Sequence, residues 1–158
     1  SAAQLDDTDF VAQLTRLVGR SGFSPSKLEI EITESAVMSK PEKMLDVLNS
    51  IKATGVQLAL DDFGTGYSSL SYLRHFPFDK LKIDRSFIKD IVDKPADVII
   101  AKAITEMARS LGMTVLAEGV ETEVQANSVR RCACDQMQGF LIGRPVPLKE
   151  FEGWYQLF

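Results

Sequence analysis

Histidine is nearly absent from this sequence, with His75 the only one in 158 residues. A His-rich metal centre and a Ser-His-Asp triad supported by a second histidine are both poorly served by that inventory. Cysteine is almost as scarce: the 2 present, Cys132 and Cys134, form a C-x-C. That spacing fits neither a zinc knuckle nor a redox C-x-x-C, and a reduced cytoplasmic setting is the simplest expectation. No stretch reaches the roughly 18 apolar residues that a membrane span needs, so no membrane contact is expected from this segment. The opening SAAQLDDTDF has neither a basic nor an apolar region and does not read as a signal peptide. Excess positive charge is missing too. The net charge is −4, which argues against a broad surface for a nucleic acid polymer. A phosphate-bearing ligand stays open, provided cations sit between it and the protein.

What is present suits one domain with a real core, since 45% of the residues are hydrophobic and 25% charged. Phe10, Leu14 and Leu17 recur at helical spacing, with Asp7 or Thr8 as cap and Gly22 beyond the end. In KLEIEIT, Leu28, Ile30 and Ile32 alternate with charged residues, as in a strand. Pro41 opens a helix with Met44, Leu45, Leu48 and Ile51 on one face. The same alternation continues to the end. Strands are expected near 27–33, 56–61, 80–84, 113–118 and 137–142, with helices between them and a terminal helix in LKEFEGWYQLF. Helix-length connections between successive strands indicate parallel βα units, hence an α/β fold. Periodicity leaves two architectures open, an open doubly wound sheet and a (β/α) barrel.

The acids fall at the strand ends. Glu31 and Glu34 end the first strand, Asp61 and Asp62 the second, Lys82 and Asp84 the third. Glu118 and Glu121 follow the fourth, and Gln138 sits on the fifth. Parallel strands point their carboxyl ends to one side, so these groups converge on one face, the face that carries the site in both architectures. Crowded carboxylates raise one another's pKa or bind cations. Oxygen ligands without sulfur or imidazole favour Mg²⁺ or Mn²⁺, and adjacent aspartates suit two ions roughly 3.5–4 Å apart.

Plainer explanations exist for each residue alone. One acid after a strand usually caps a helix. Asp62-Phe63-Gly64 matches the kinase D-F-G, yet no Gly-rich loop, β3 lysine or H-R-D precedes it. An aldolase- or enolase-like barrel would also use strand-end acids, but gives the Asp61-Asp62 pair and the Gly64–Gly66 loop no duty. Joint placement at consecutive strand ends lifts the functional reading above its parts.

In order and spacing, LEIEITES, LALDDFGTGYSSLSYLRHFPFDKLKIDRSFI, LGMTVLAEGVET and CDQMQGFLIGRP resemble the EAL domain family of bacterial cyclic di-GMP phosphodiesterases. The resemblance runs over essentially the whole chain. It implies a TIM-like barrel, two Mg²⁺ or Mn²⁺ ions, and hydrolysis of cyclic di-GMP to linear pGpG. Carried over, Glu31, Asp61, Asp62 and Glu118 become metal ligands, with Asp61 shared between the ions. Lys82, Glu118 and Glu121 become the catalytic set, Lys82 positioning or deprotonating water. Gln138 and Asp84 are assigned to substrate. Glu34 anchors the loop that includes Phe63, Gly64, Thr65, Gly66 and Tyr67 and couples metal, substrate and dimerisation. A homodimer is implied, as is a GGDEF or sensor domain, or a membrane anchor, in a parent protein.

The departure is at the start. A whole barrel has eight strands and about 250 residues, and the Glu-Ala-Leu motif that names the family is absent here. SAAQLDDTDF resembles the segment just after a second motif, whose asparagine ligand would precede Ser1. The expectation is a five-strand C-terminal portion of the barrel, weak or inactive alone. The alternative is a non-catalytic cyclic di-GMP-binding or protein-interaction module.

Overall fold

The structure is a computed structural model that describes residues 2–5, 7, 9–66 and 70–155. Two helices lead, α1 (Ala2–Leu5) and α2 (Phe10–Ser21), followed by a 3-10 turn at Pro25–Lys27. Next come β1 (Glu29–Thr33), α3 (Glu34–Met38), α4 (Pro41–Lys52), β2 (Gln57–Phe63) and α5 (Leu70–Leu73). Then follow β3 (Lys80–Ile83), α6 (Arg85–Lys89), α7 (Pro95–Ser110) and β4 (Thr114–Ala117). The last elements are α8 (Glu123–Arg131), β5 (Gln136–Met137) and α9 (Leu148–Tyr155). No helix among the described residues is long and apolar enough to cross a membrane.

All strand pairs are parallel, and the sheet order is β1-β2-β3-β4-β5. That order separates the two architectures. A doubly wound sheet reverses direction at a switch point; this one never does. Right-handed crossovers that always step the same way put every helix on one face of the sheet, as in a (β/α) barrel. The helix side carries the apolar rows Leu58 and Leu60, Leu81 and Ile83, Val115 and Ala117, all fully buried. They pack with Leu48 and Ile51 of α4, Ala101 and Ala108 of α7, and Ala126 and Val129 of α8 in one core. The other face is strongly polar: Lys80 of β3 reaches across β2 to Glu29 of β1 at 2.6 Å.

Matching acids pin the amino edge of the sheet. Asp79 accepts the Leu58 amide at 2.8 Å and binds Lys52 at the end of α4. Asp135 accepts the Val115 amide at 2.8 Å and binds Arg109 at the end of α7. Each carboxylate ties a strand start to the helix before it.

Several expectations change. In α2, Leu14 is buried but Leu17 is 65% exposed, because Val18 packs on the core instead. Asp9 holds the cap position and donates its amide to Asp7, while Thr8 lies outside the described residues. The second strand runs on through Phe63, which is core rather than loop. The third ends at Ile83, one residue short of Asp84. The fifth is only Gln136–Met137. Beyond it the chain turns, with the amides of Ile142 and Gly143 donating to the Gly139 carbonyl. The cause is close backbone contact: a Cβ on Gly139 would lie 2.1 Å from the Val120 carbonyl oxygen.

Candidate metal centre at the carboxyl end of the sheet

Adjacent residues of a regular strand point to opposite faces, so Asp61 and Asp62 should diverge. A β-bulge makes them converge. Leu60 registers with Leu81 and Phe63 with Ile83, so β2 spends three steps where β3 spends two. The extra residue is taken up at Asp62, whose φ of 56° is left-handed. Aspartate is among the few L-residues that visit this region with some ease. As a result, carboxylate oxygens of Asp61, Asp62 and Glu118 all lie within 4.8 Å of one another.

Lys82 stands beside them on β3. Its ammonium is 2.8 Å from Glu31, 3.0 Å from Asp61 and 2.8 Å from Glu118. The residue is 4% exposed, so it is no surface lysine. Burial alone would lower its pKa, but hydrogen bonds to Glu118, Glu31 and Asp61 outweigh it and hold the pKa above the usual value. Burial pushes the Glu118 carboxyl up, against the pull of Lys82. Burial also pushes Asp62 up; Asp61 and Asp84 add to the shift, and Lys82 opposes it. One ammonium does not relieve the cluster.

The cluster suits a hard divalent cation: its donors are all carboxylate oxygens, mutually close, and two of them resist ionisation. Glu31 joins the group through Lys82 and lies outside the tight trio.

The remaining sequence candidates sit around this centre. Glu34 begins α3, is 1% exposed, and accepts the Gly64 amide on Oε2 at 2.9 Å. Thr65 bends back on Asp62, its hydroxyl donating to the Asp62 carbonyl at 2.8 Å. Gly66 lies so close that a Cβ would be 3.4 Å from Glu34 Oε1. Tyr67 lies outside the described residues. Asp84 caps α6, accepting the Ser86 amide at 2.9 Å. Burial opposes its ionisation, but that bond and the nearby Arg85 bring its pKa below the usual value.

Glu121 and Gln138 are exposed on neighbouring rim loops. The Glu121 amide donates to Gln125 Oε1 beside a capping box between Thr122 and Gln125. Gln138 bridges from its backbone to Ala117 and Val120. The sequence reading missed the bulge and the ring of Phe87, which lies against Gly64. A glycine two residues beyond an acidic doublet was the available signal for the first; nothing in the sequence marks the second.

The sequence profile described as EAL domain matches residues 1–145. The cyclic di-GMP phosphodiesterase NbdA of Pseudomonas aeruginosa is 41% identical over 157 residues, covering 99% of this chain and 20% of NbdA. A solved complex titled as the PaMucR phosphodiesterase with c-di-GMP superposes with a TM-score of 0.91 at 41% identity, covering 96% of this chain and 61% of that one. A manganese and cyclic di-GMP complex of Klebsiella pneumoniae BlrP1 superposes at 0.83 with 34% identity, covering 90% of this chain and 36% of that one. The chain spans between 16% and 24% of the length of the curated relatives it matches.

Proposed function

This chain belongs to the EAL domain family, and on that footing we propose that it serves metal-dependent hydrolysis of cyclic di-GMP, opening one phosphodiester bond to give linear pGpG. The observation that carries the reading is the bulge-driven convergence of Asp61, Asp62 and Glu118 beside the Lys82 ammonium. Asp61, Asp62 and Glu118 would hold Mg²⁺ or Mn²⁺, with Glu31 as the further ligand and Asp61 shared between two ions. The ions would supply Lewis acidity, activating water and offsetting charge on the phosphate.

The duties of the protein groups follow from their surroundings. The carboxylates of Glu31, Asp61 and Glu118 keep the proton on Lys82. That supports a fixed positive charge that orients water and a phosphate oxygen rather than a base. Glu121 and Gln138 bring polar groups to the same end, which supports roles in holding water and substrate. Asp84, with one oxygen engaged by α6, contributes mainly charge beside Asp62. Glu34 holds the loop through Gly64. A homodimer, a cytoplasmic setting and a GGDEF or sensor domain in a longer parent belong to the same proposal.

Weak turnover is expected from these 158 residues alone. Among the described residues the five strands leave β1 and β5 as the sheet edges. One observation favours a non-catalytic binding module instead: the Lys82 ammonium itself offsets part of the charge of Glu31, Asp61 and Glu118. The test is incubation with cyclic di-GMP and Mn²⁺, chromatographic separation of products, and an Asp61→Asn control. Formation of pGpG that the control loses supports hydrolysis. Mn²⁺-dependent cyclic di-GMP binding without product supports the binding module. Neither binding nor product overturns both for this chain.

A further inference from the structure

The left-handed backbone of Asp62 is an unfavoured conformation that persists only where neighbours hold it. Two residues on, Gly64 has two close neighbours. Its amide donates to the buried Glu34 at 2.9 Å. The second is Phe87: a Cβ on Gly64 would sit 2.7 Å from Phe87 Cε2 and 3.0 Å from Cζ. Gly64 also has a φ of 95°, so no other residue fits there without strain. Between the two glycine contacts and Asp62 the turn is closed by Thr65, whose amide and hydroxyl both donate to the Asp62 carbonyl. Phe87 is set by its own element: α6 follows directly on β3, the strand of Lys82, and Asp84 caps it. The ring is partly buried and packs on the core.

We propose that Phe87 is a positioning residue, whose ring packs on Gly64 and, together with the Glu34 hydrogen bond, holds the bulge that aims the Asp62 carboxylate at Asp61 and Glu118. Phe87 acts through Gly64. The inference rests on the metal-centre reading above, but its first readout does not need a metal.

Hydrogen exchange of the Gly64 amide is compared in the wild type, Phe87→Ala and Phe87→Leu, with Leu81 and Val115 amides as core references. Mn²⁺ affinity is measured on the same samples by electron paramagnetic resonance. In Phe87→Ala the Gly64 amide exchanges faster while the core amides are unchanged, and Mn²⁺ binding weakens about 10-fold, the scale of a lost supporting contact around a ligand. Phe87→Leu keeps apolar bulk over Gly64 and recovers most of both effects. Should Phe87→Ala fail to fold, Phe87→Leu against the wild type carries the comparison through smaller changes of the same sign. Unchanged Gly64 exchange and unchanged Mn²⁺ affinity in a folded Phe87→Ala overturn the proposal. A wild type that binds no Mn²⁺ overturns the metal-centre reading instead, and Gly64 exchange then decides the role of Phe87 alone.

Discussion

The Lys82 ammonium and the Glu118 carboxylate lie 2.8 Å apart at the mouth of the sheet, although their strands register Lys82 with Leu116 and not with Glu118. The long lysine side chain climbs to the rim and spends its charge among three carboxylates. Lys82→Met leaves those groups facing one another. The expected loss is about 2–3 kcal/mol, below the ~3–5 of a fully buried pair because the carboxylates are partly exposed. Urea unfolding without metal measures it. Millimolar Mn²⁺ recovers part of the loss, since a divalent cation replaces the missing charge, whereas a loss of packing alone would not respond.

Asp62→Asn tests the opposite case, a carboxylate under pressure. Asparagine tolerates the left-handed backbone. The Asp62 carboxyl has a raised pKa in the folded chain. Its stability contribution is therefore fully present below the unfolded pKa and is lost as pH rises through the folded one. Removing the charge raises the metal-free Tm at pH 7 by roughly 2–4 °C and changes it little near pH 3. The same variant loses most of the stabilisation that Mn²⁺ gives the wild type. Thermal melts at both pH values, with and without Mn²⁺, check the sign.

Gly139→Ala should cost about 1–3 kcal/mol by overpacking, because the new Cβ meets the Val120 backbone at 2.1 Å. Gly19 makes the control. A Cβ there meets nothing within 4 Å and it lies inside α2, so Gly19→Ala stabilises by roughly 0.5–1 kcal/mol. Denaturant midpoints of the two variants should move in opposite directions.

Asp79→Ala and Asp135→Ala each remove an acceptor for a strand amide together with an ion-pair partner. Each should cost about 1–3 kcal/mol, and the double variant should lose close to the sum, since no partner is shared. Mn²⁺ affinity stays at the wild-type value in both. A shift in affinity would mean that the amino edge of the sheet communicates with the carboxyl edge.

Parallel geometry made much of this readable in advance. Once helix and strand alternate, every strand end faces one way, so Glu31, Asp61, Lys82 and Glu118 could be assigned to one rim from spacing alone. The backbone between Leu60 and Phe63 could not. An aspartate doublet reads the same whether its carboxylates diverge or converge, and only the register against β3 distinguishes them. MQGFLIG carries strand-like apolar residues, but the approach of Gly139 to Val120, a contact between remote segments, turns the chain after Met137. Leu17 lost its expected place for a similar reason: its helix offers several apolar residues, and tertiary packing selects Leu14 and Val18. By spacing alone Glu34 is one more strand-end acid; the family resemblance is what pointed to the loop, and the Gly64 amide is the partner the structure gives it.

A strand is a two-state alternation, and the bulge at Asp62 inserts a phase change of one step. Before it, odd-numbered residues of β2 such as Ala59 and Asp61 share the polar face; after it, Phe63 pairs with Ile83 and goes to the helix side, 4% exposed. Deleting Asp62 would leave two steps against the two of β3, so the aromatic ring would keep its side while the carboxylate pair would be lost. Flattening the bulge at full length would instead turn the ring toward the carboxylates and Asp62 into the apolar layer. Length here is as constrained as identity: 61–63 should tolerate conservative replacement better than any insertion or deletion, whereas the surface turns between α7 and β4 have no parity to keep.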